Sequence, residues 1–287
     1  FWYYIIVFRL SKHIMMVISI FHVIIAKITL NYRGPNKVTI NIIQITDLHL
    51  HADRNVSAHN INTFNSAQSV LRAIEKNERD FDMLILSGDL SDDGSTASYE
   101  NLRYLLKNFD CPIYLMSGNH DSLDSIELIT NKNNLKYQNY ANLGKWGIFM
   151  FNTKKDNSPN GILHQHELVS FDKITNDNKD KYLLIMLHHH PVPIGSESMD
   201  TMIIENSNEL LNRINHTQIK GIGWGHVHDE ISIKYNGALL FSTPSTCYQA
   251  KPKSKKFSID LSQSPGYRII SLRDDGEINT KVIRVTL

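Results

Sequence analysis

The sequence predicts an α/β sandwich with mixed β-sheets. From Val38 onward, apolar strands alternate with amphipathic helices for about two thirds of the chain, and the last third reads as strands only. At 287 residues the chain is long enough to bury a large core. Neither an internal repeat nor a low-complexity linker interrupts this pattern.

The elements follow in order. Val38 to Thr46 (VTINIIQIT) is rich in β-branched residues and predicts a strand. Ala67, Val70, Leu71 and Ile74 recur at helical spacing between Ser66 and Lys76. Asp82 to Ser87 (DMLILS) predicts a second, buried strand, Ser95 to Phe109 a helix, and Cys111 to Ser117 (CPIYLMS) a third strand. A short helix is expected over Ser122 to Thr130, a strand over Gly147 to Asn152 and a weak helix over His166 to Ile174. Tyr182 to Leu187 (YLLIML) is strand, Ser207 to Ile214 helix and Ile219 to Trp224 extended. Short strands close the chain at Glu230 to Tyr235, Ala238 to Ser242, Tyr267 to Leu272 and Ile278 to Val285.

Composition narrows the function classes. Hydrophobic residues at 41% and charged residues at 21% exclude a disordered chain. A net charge of +1 gives no global reason to bind nucleic acid or an acidic membrane, so an anionic substrate needs a local site. Cys111 and Cys247 make no disulfide framework and suit a reducing, cytoplasmic setting. The lysines at 251, 253, 255 and 256 read as a solvated basic loop.

Residues 1–37 are expected to form a hydrophobic extension ahead of a catalytic domain spanning 38–287. The chain opens on Phe1, which reads as a fragment, a processed product or an upstream mistranslation, with Met15 or Met16 as alternative starts. Ile14 to Ala26 is apolar but short of the ~20 residues of a membrane span, and Arg9, Lys12 and His13 interrupt it. Any membrane association rests on residues 1–30, and no small-residue cleavage site follows Ala26.

One local design recurs five times: an apolar strand ends and a metal-capable side chain appears. VTINIIQIT leads into Asp47-Leu-His49, DMLILS into Gly88-Asp89, and CPIYLMS into Gly118-Asn119-His120-Asp121. YLLIML leads into His188-His189-His190-Pro191, and IKGIGWG into His226-Val-His228. Any one of these is weak, since a lone D-x-H or H-x-H is mostly chance. Their shared placement is what signifies, because ligands of open α/β sheets bind outside the carboxyl ends of strands. Carboxylate, amide oxygen and imidazole without thiolate suit divalent Fe, Mn or Zn, and do not discriminate among them. Seven donors exceed what one ion needs. Asp47, His49, Asp89 and His228 would hold a first ion; Asp89, shared, with Asn119, His188 and His226 would hold a second. Two divalent ions bring four positive charges, and two carboxylates with a bridging hydroxide remove three, leaving a site that attracts a phosphodiester. His120 stands beside a ligand without being needed as one, which makes it the expected proton donor to the leaving oxygen, with Asp121 its expected orienting partner.

D-x-H, G-D, G-N-H-D, H-H-H-P and G-H-x-H in this order resemble the calcineurin-like metallophosphoesterase superfamily, over roughly Val38 to Leu287. QITDLHLHAD, LHHHPVPIGS, STPSTCYQAKP and SPGYRIISLRDDGEI are similar to the bacterial class III, Icc-type cyclic-nucleotide phosphodiesterases. The resemblance implies a four-layer α/β/β/α sandwich with two mixed β-sheets and a dinuclear centre on the seven ligands. It implies hydrolysis of 3',5'-cAMP to AMP, with His49, Asp89, Asn119, His120 and His228 bordering the substrate phosphate. His188 is taken from its triplet by its match to the family motif, with His189 the rival, and His51 is left at the pocket edge. A small-molecule substrate is implied, with no nucleic acid; the family often forms homodimers. The rivals are a broader phosphodiesterase acting on 2',3'-cyclic nucleotides or glycerophosphodiesters, and a non-catalytic metal-binding scaffold.

Overall fold

The computed structural model describes residues 39–130, 134–215 and 218–287. The extension expected over 1–37 lies outside the described residues. Among those described, no helix is long and apolar enough to cross a membrane.

Strand β1 (Thr39–Ile45) runs parallel to β4 (Met83–Ser87), which runs parallel to β5 (Ile113–Met116). Two antiparallel strands, β13 (Gly266–Arg273) and β14 (Ile278–Arg284), extend this sheet on the far side of β1, and the short β6 (Leu135–Lys136) closes it beyond β5. The second sheet has the order β11-β12-β10-β9-β8-β7, from β11 (Ile231–Tyr235), β12 (Ala238–Ser242), β10 (Ile219–Trp224), β9 (Tyr182–Met186), β8 (Trp146–Met150) and β7 (Tyr140–Leu143). Its inner strands are parallel, and β11 and β7 are antiparallel edges. A two-residue turn joins β2 (Ser57–Ala58) to β3 (Ile61–Asn62) in a small hairpin.

Strand periodicity builds the layers. Side chains alternate between the two faces of a strand, so a strand buried on both faces serves two cores. Ile43 and Ile45 face the helices α1 (Thr63–Asn77), α2 (Thr96–Leu106) and α3 (Leu123–Ile129), packing with Val70, Ile74, Leu102 and Ile126. Ile42 faces the other way, into a core between the sheets with Ile85, Ile148, Leu184, Met186 and Phe241. Phe149, Ile185, Ile222 and Trp224 form a third core with α4 (Gln165–Asp177) and α5 (Asn208–Leu211). Three apolar layers therefore separate four structural ones, the α/β/β/α sandwich expected from the sequence.

Polar cross-links tie the sheets together near their carboxyl ends. Fully buried Gln44 donates to Ser87 Oγ (2.8 Å) and to the Trp224 carbonyl (3.1 Å), and accepts from Thr243 Oγ1 (2.6 Å). This satisfies a buried amide while joining β1, β4 and β10. The helix expected over Ser207 to Ile214 is a single α-turn continued as a 3₁₀ turn, Asn212–Asn215. Asparagines at 208, 212 and 215 favour turns over helix interiors.

Glu167 lies in the first turn of α4 and is buried. One carboxylate oxygen accepts the Asn152 N–H at 3.3 Å and the other has no hydrogen-bond partner. Burial pushes its carboxyl up to about 7 from an ordinary 4.5. A folded pKa above the unfolded one means the folded chain holds a proton that the unfolded chain releases between those values. The contribution of Glu167 to stability is therefore fully present below about 4.5 and is lost as pH rises through 7. Glu167→Gln removes this dependence. Its stability advantage over the parent should grow by about 2 kcal/mol between pH 5 and pH 8, read from urea midpoints. A constant offset across that range would show that Glu167 is ionised throughout.

Candidate metal centre

The five strand ends converge. β1, β4 and β5 are neighbours in one sheet, β9 and β10 in the other, and the segments that follow them share one rim. The D-x-H and G-H-x-H spacings have a packing reason. Leu48 and Val227, the middle residues, are buried in the two outer cores, so the flanking side chains turn the opposite way, into the cleft. Asp47, His49, Asp89, His226 and His228 all adopt left-handed backbone, with φ of 53°, 45°, 47°, 65° and 48°. Each such residue costs on the order of 1–3 kcal/mol, and strain of this kind persists where surrounding structure imposes it at functional sites.

Backbone and side-chain partners fix the orientation of each donor. Asp47 accepts the His226 N–H on both oxygens (3.1 and 2.9 Å) and Thr46 Oγ1 on one (2.7 Å). Asp89 accepts the His120 N–H at 3.0 Å. His188 Nδ1 pairs with the Ser87 carbonyl and His228 Nδ1 with the Tyr248 carbonyl, both at 2.8 Å, while His49 Nδ1 pairs with Asp92 Oδ1 at 2.9 Å. In all three rings this leaves Nε2 facing the cleft, as a metal-ligating imidazole requires. His226 Nε2 is buried with no hydrogen-bond partner.

The donor spacing suits shared cations. His49 Nε2 lies 3.2 Å from His228 Nε2, which lies 3.4 Å from Asp47 Oδ1. His188 Nε2 lies 3.2 Å from Asn119 Oδ1 and 3.4 Å from Asp89 Oδ2. Donors about 2.1 Å from a common ion at tetrahedral or octahedral angles sit about 3.0–3.4 Å apart. Asp89 Oδ2 also lies 3.7 Å from His49 Nε2, so this carboxylate faces both groups. The donors are buried oxygen and imidazole, and they fit two divalent cations.

The electrostatics show the same demand for positive charge. Burial alone would raise the carboxyl pKa values of Asp47 and Asp89. His228 beside the first and His188 beside the second outweigh it and hold both below the usual range, Asp89 well below. Burial pulls His188 down, but Asp89 and Asp47 raise it to about 9. His226 is held well below its ordinary value by burial and by His189 and His188 beside it, which keeps a lone pair available.

Gly118 shows how little room the site leaves. A Cβ there would collide with Asp89 Oδ1 and stand 2.7 Å from His188 Nε2. Gly118→Ala should displace both donors and weaken metal binding by about 10–100-fold, measured by competition with a chelating dye, while circular dichroism shows the fold intact. Native metal affinity would mean that the loop absorbs the methyl group.

All seven expected ligands and His120 lie in this cluster. His188 is the member of its triplet that meets Asp89 and Asn119. His189 pairs through Nδ1 with Thr153 Oγ1 (2.8 Å), yet a donor atom of its ring still falls within 4.8 Å of those of His188 and His226. His190 faces Asp200 at 3.5 Å. His51 sits at the edge, 3.7 Å from Asp92.

The expected pairing of His120 with Asp121 is corrected. Asp121 is buried and accepts from the Leu90, Ser91 and Gly118 N–H groups and from the Tyr99 hydroxyl, at 2.8–3.1 Å. It ties the G-D loop to the G-N-H-D loop and has no capacity left for His120. The carboxylate facing His120 Nδ1 is Asp92, at 3.5 Å, with the Asp92 carbonyl at 3.3 Å. The hydrogen bond from His49 outweighs partial burial and holds the Asp92 carboxyl below its ordinary value. Sequence reasoning missed Asp92 because nothing in S-D-D-G separates it from Asp93.

The P-S-T-C-Y segment lies behind the ligands. Ser245 Oγ and Cys247 Sγ reach the Asp47 carbonyl at 2.8 and 3.2 Å, and the Tyr248 ring stacks on His228. Both cysteines are free thiols.

Residues 40–230 match the family described as calcineurin-like phosphoesterase. The chain is 34% identical over 251 residues to the 3',5'-cyclic adenosine monophosphate phosphodiesterase CpdA of Haemophilus influenzae, covering 87% of this chain and 91% of the relative. It is 33% identical over 250 residues to a 3',5'-cyclic-nucleotide phosphodiesterase of Nostoc sp., covering 87% and 94%. A dimetal phosphatase from Danio rerio shares the fold, with a TM-score of 0.58 at 13% identity over 86% of this chain and 99% of that one. With its motifs at the carboxyl ends of two mixed sheets, the chain belongs to the calcineurin-like phosphoesterase family and is a metal-dependent phosphoesterase.

Proposed function

We propose that residues 38–287 form a catalytic domain that hydrolyses a 3',5'-cyclic nucleotide, cAMP to AMP, on a dinuclear centre held by Asp47, His49, Asp89, Asn119, His188, His226 and His228. The observation that carries this reading is the set of 3.2–3.4 Å donor separations in two groups, with Asp89 facing both. The names of the relatives supply the substrate class. Two bound divalent cations would lower the pKa of water and offset charge on the phosphoryl group.

The chain's own residues do the rest. Water adds to phosphorus, the bond from phosphorus to O3' breaks, and the leaving oxygen takes a proton. His120 supplies it from the open side of the cleft, where its side chain is 40% exposed. Asp92 faces Nδ1, which leaves Nε2 for the substrate. The buried ligand rings behind keep their orientation through Ser87, Tyr248 and Asp92.

Turnover of cAMP, 2',3'-cAMP and an aryl phosphodiester by the metal-loaded protein tests the proposal. Efficient cAMP hydrolysis supports it. Barely any cAMP turnover beside fast aryl-diester cleavage would replace it with a broad phosphodiesterase. Metal-loaded protein inert toward every phosphoester would indicate a binding scaffold.

A further inference from the structure

Beyond the ligands, a run of rings leads out of the cleft. Tyr248 is buried, stacks on His228 at 4.6 Å between centroids and 29° between planes, and lies 5.4 Å from His49. The His59 ring meets the Tyr248 ring at 4.6 Å, edge to face. Phe257 follows, 6.1 Å from His59. The inner end of this run touches the metal centre, and its outer end is in solvent, Phe257 being 43% exposed.

The two outer rings sit on a hairpin tip and on a loop. His59 and Asn60 form the tip of the β2–β3 hairpin with φ of 50° and 65°, a turn that ordinarily selects Asn, Asp or Gly. A histidine there presents an exposed ring on a backbone conformation that opposes it. Phe257 belongs to a loop closed at its base by the Ala250–Ile259 bridge and the Lys251 N–H to the Ser258 carbonyl (2.8 Å). Phe257 follows Lys255 and Lys256 in this loop, and its ring is the part of the loop that meets His59.

We propose that His59 and Phe257 are substrate-binding residues that form a stacking platform for the substrate's nucleobase, with Tyr248 as the wall beside the ribose. The inference rests on the nucleotide reading above and adds where the base goes. A phosphate at the ligands directs the rest of a nucleotide outward along the rings. Aromatic stacking accepts any base, because every base has a π-face. The platform therefore holds purines with little regard to their edges, and cAMP and cGMP should have KM values within about three-fold of each other.

The test uses His59→Asn, which keeps a residue tolerant of positive φ while removing the ring, and Phe257→Leu, which keeps apolar bulk. In the double variant KM for cAMP should rise about ten-fold with kcat within about three-fold of the parent. Inhibition by AMP should weaken by the same factor, while inhibition by ribose 5-phosphate, which lacks a base, stays unchanged. Phe257→Tyr should behave as the parent. An unchanged KM in the double variant overturns the platform, as does equal weakening of AMP and ribose 5-phosphate, which reports damage to the phosphate site. The two proposals fail separately. If the parent cleaves aryl diesters but not cAMP, the function is wrong; the platform then stands if AMP inhibits aryl-diester cleavage more strongly than ribose 5-phosphate does, and falls if the two are equal.

Discussion

Asp89→Asn should reduce the bound metal from two ions per chain toward one or none and lower turnover by more than about 10⁴-fold. Asp89 is buried, and its Oδ2 faces His188 on one side and His49 on the other, so one substitution removes charge from both groups of donors. Each divalent cation contributes several kcal/mol to stabilising the transition state, and 1.36 kcal/mol is a factor of ten in rate. Asparagine keeps the shape and can still accept the His120 N–H, so the loss isolates charge from packing. The metal-free variant carries a second signature. Without the Asp89 carboxylate, burial prevails and His188 should lose the support that holds its pKa at about 9. Metal content by elemental analysis and His188 titration by NMR check the two arms. Two ions per chain in the variant would remove Asp89 from its proposed place between them.

His120→Ala should leave two ions bound and cut turnover by roughly 10²–10⁴-fold, the range for a positioned general acid. The ring packs edge to face on His49 at 4.9 Å, but His49 keeps its own anchor, the 2.9 Å contact of Nδ1 with Asp92. What ties this segment to Asp89 is the residue 120 backbone N–H, which alanine retains. The dependence on the leaving group separates a proton donor from a merely structural residue. The variant should lose much less activity toward an aryl diester, whose leaving phenolate needs no proton, than toward cAMP, whose leaving alkoxide does. An equal loss on both substrates would reassign His120 to phosphate binding.

Much of the site was legible because its chemistry is local. A strand must end where its apolar run ends, and the residue that follows lies at the sheet's carboxyl edge whatever the rest of the chain does. Asp47, Asp89, Asn119 and His226 follow this rule, and Leu48 and Val227 show why His49 and His228 are two residues on: the middle side chain is claimed by the core. The long strands and the helices Thr63–Asn77 and Thr96–Leu106 were legible for the same reason, since a buried face imposes its period on the sequence. The strands Leu135–Lys136 and Tyr140–Leu143 were not, because edge strands of two and four residues are too short to show one.

The sequence by itself determined the fold class and named the strand-end Asp, Asn and His side chains that the fold gathers at one cleft. Those depend on residue type and on position relative to strand ends. Tertiary structure decided which atoms meet. It placed His188 against Asp89 and Asn119 within a run of three identical residues. It gave His120 the carboxylate of Asp92 in place of its sequence neighbour Asp121, whose acceptors were already taken by three backbone amides and a tyrosine hydroxyl. It also brought His59 against Tyr248 and Phe257, from segments nearly two hundred residues apart. Contacts of that separation leave no periodic trace in a sequence, since each partner satisfies only its own loop until the chain has folded.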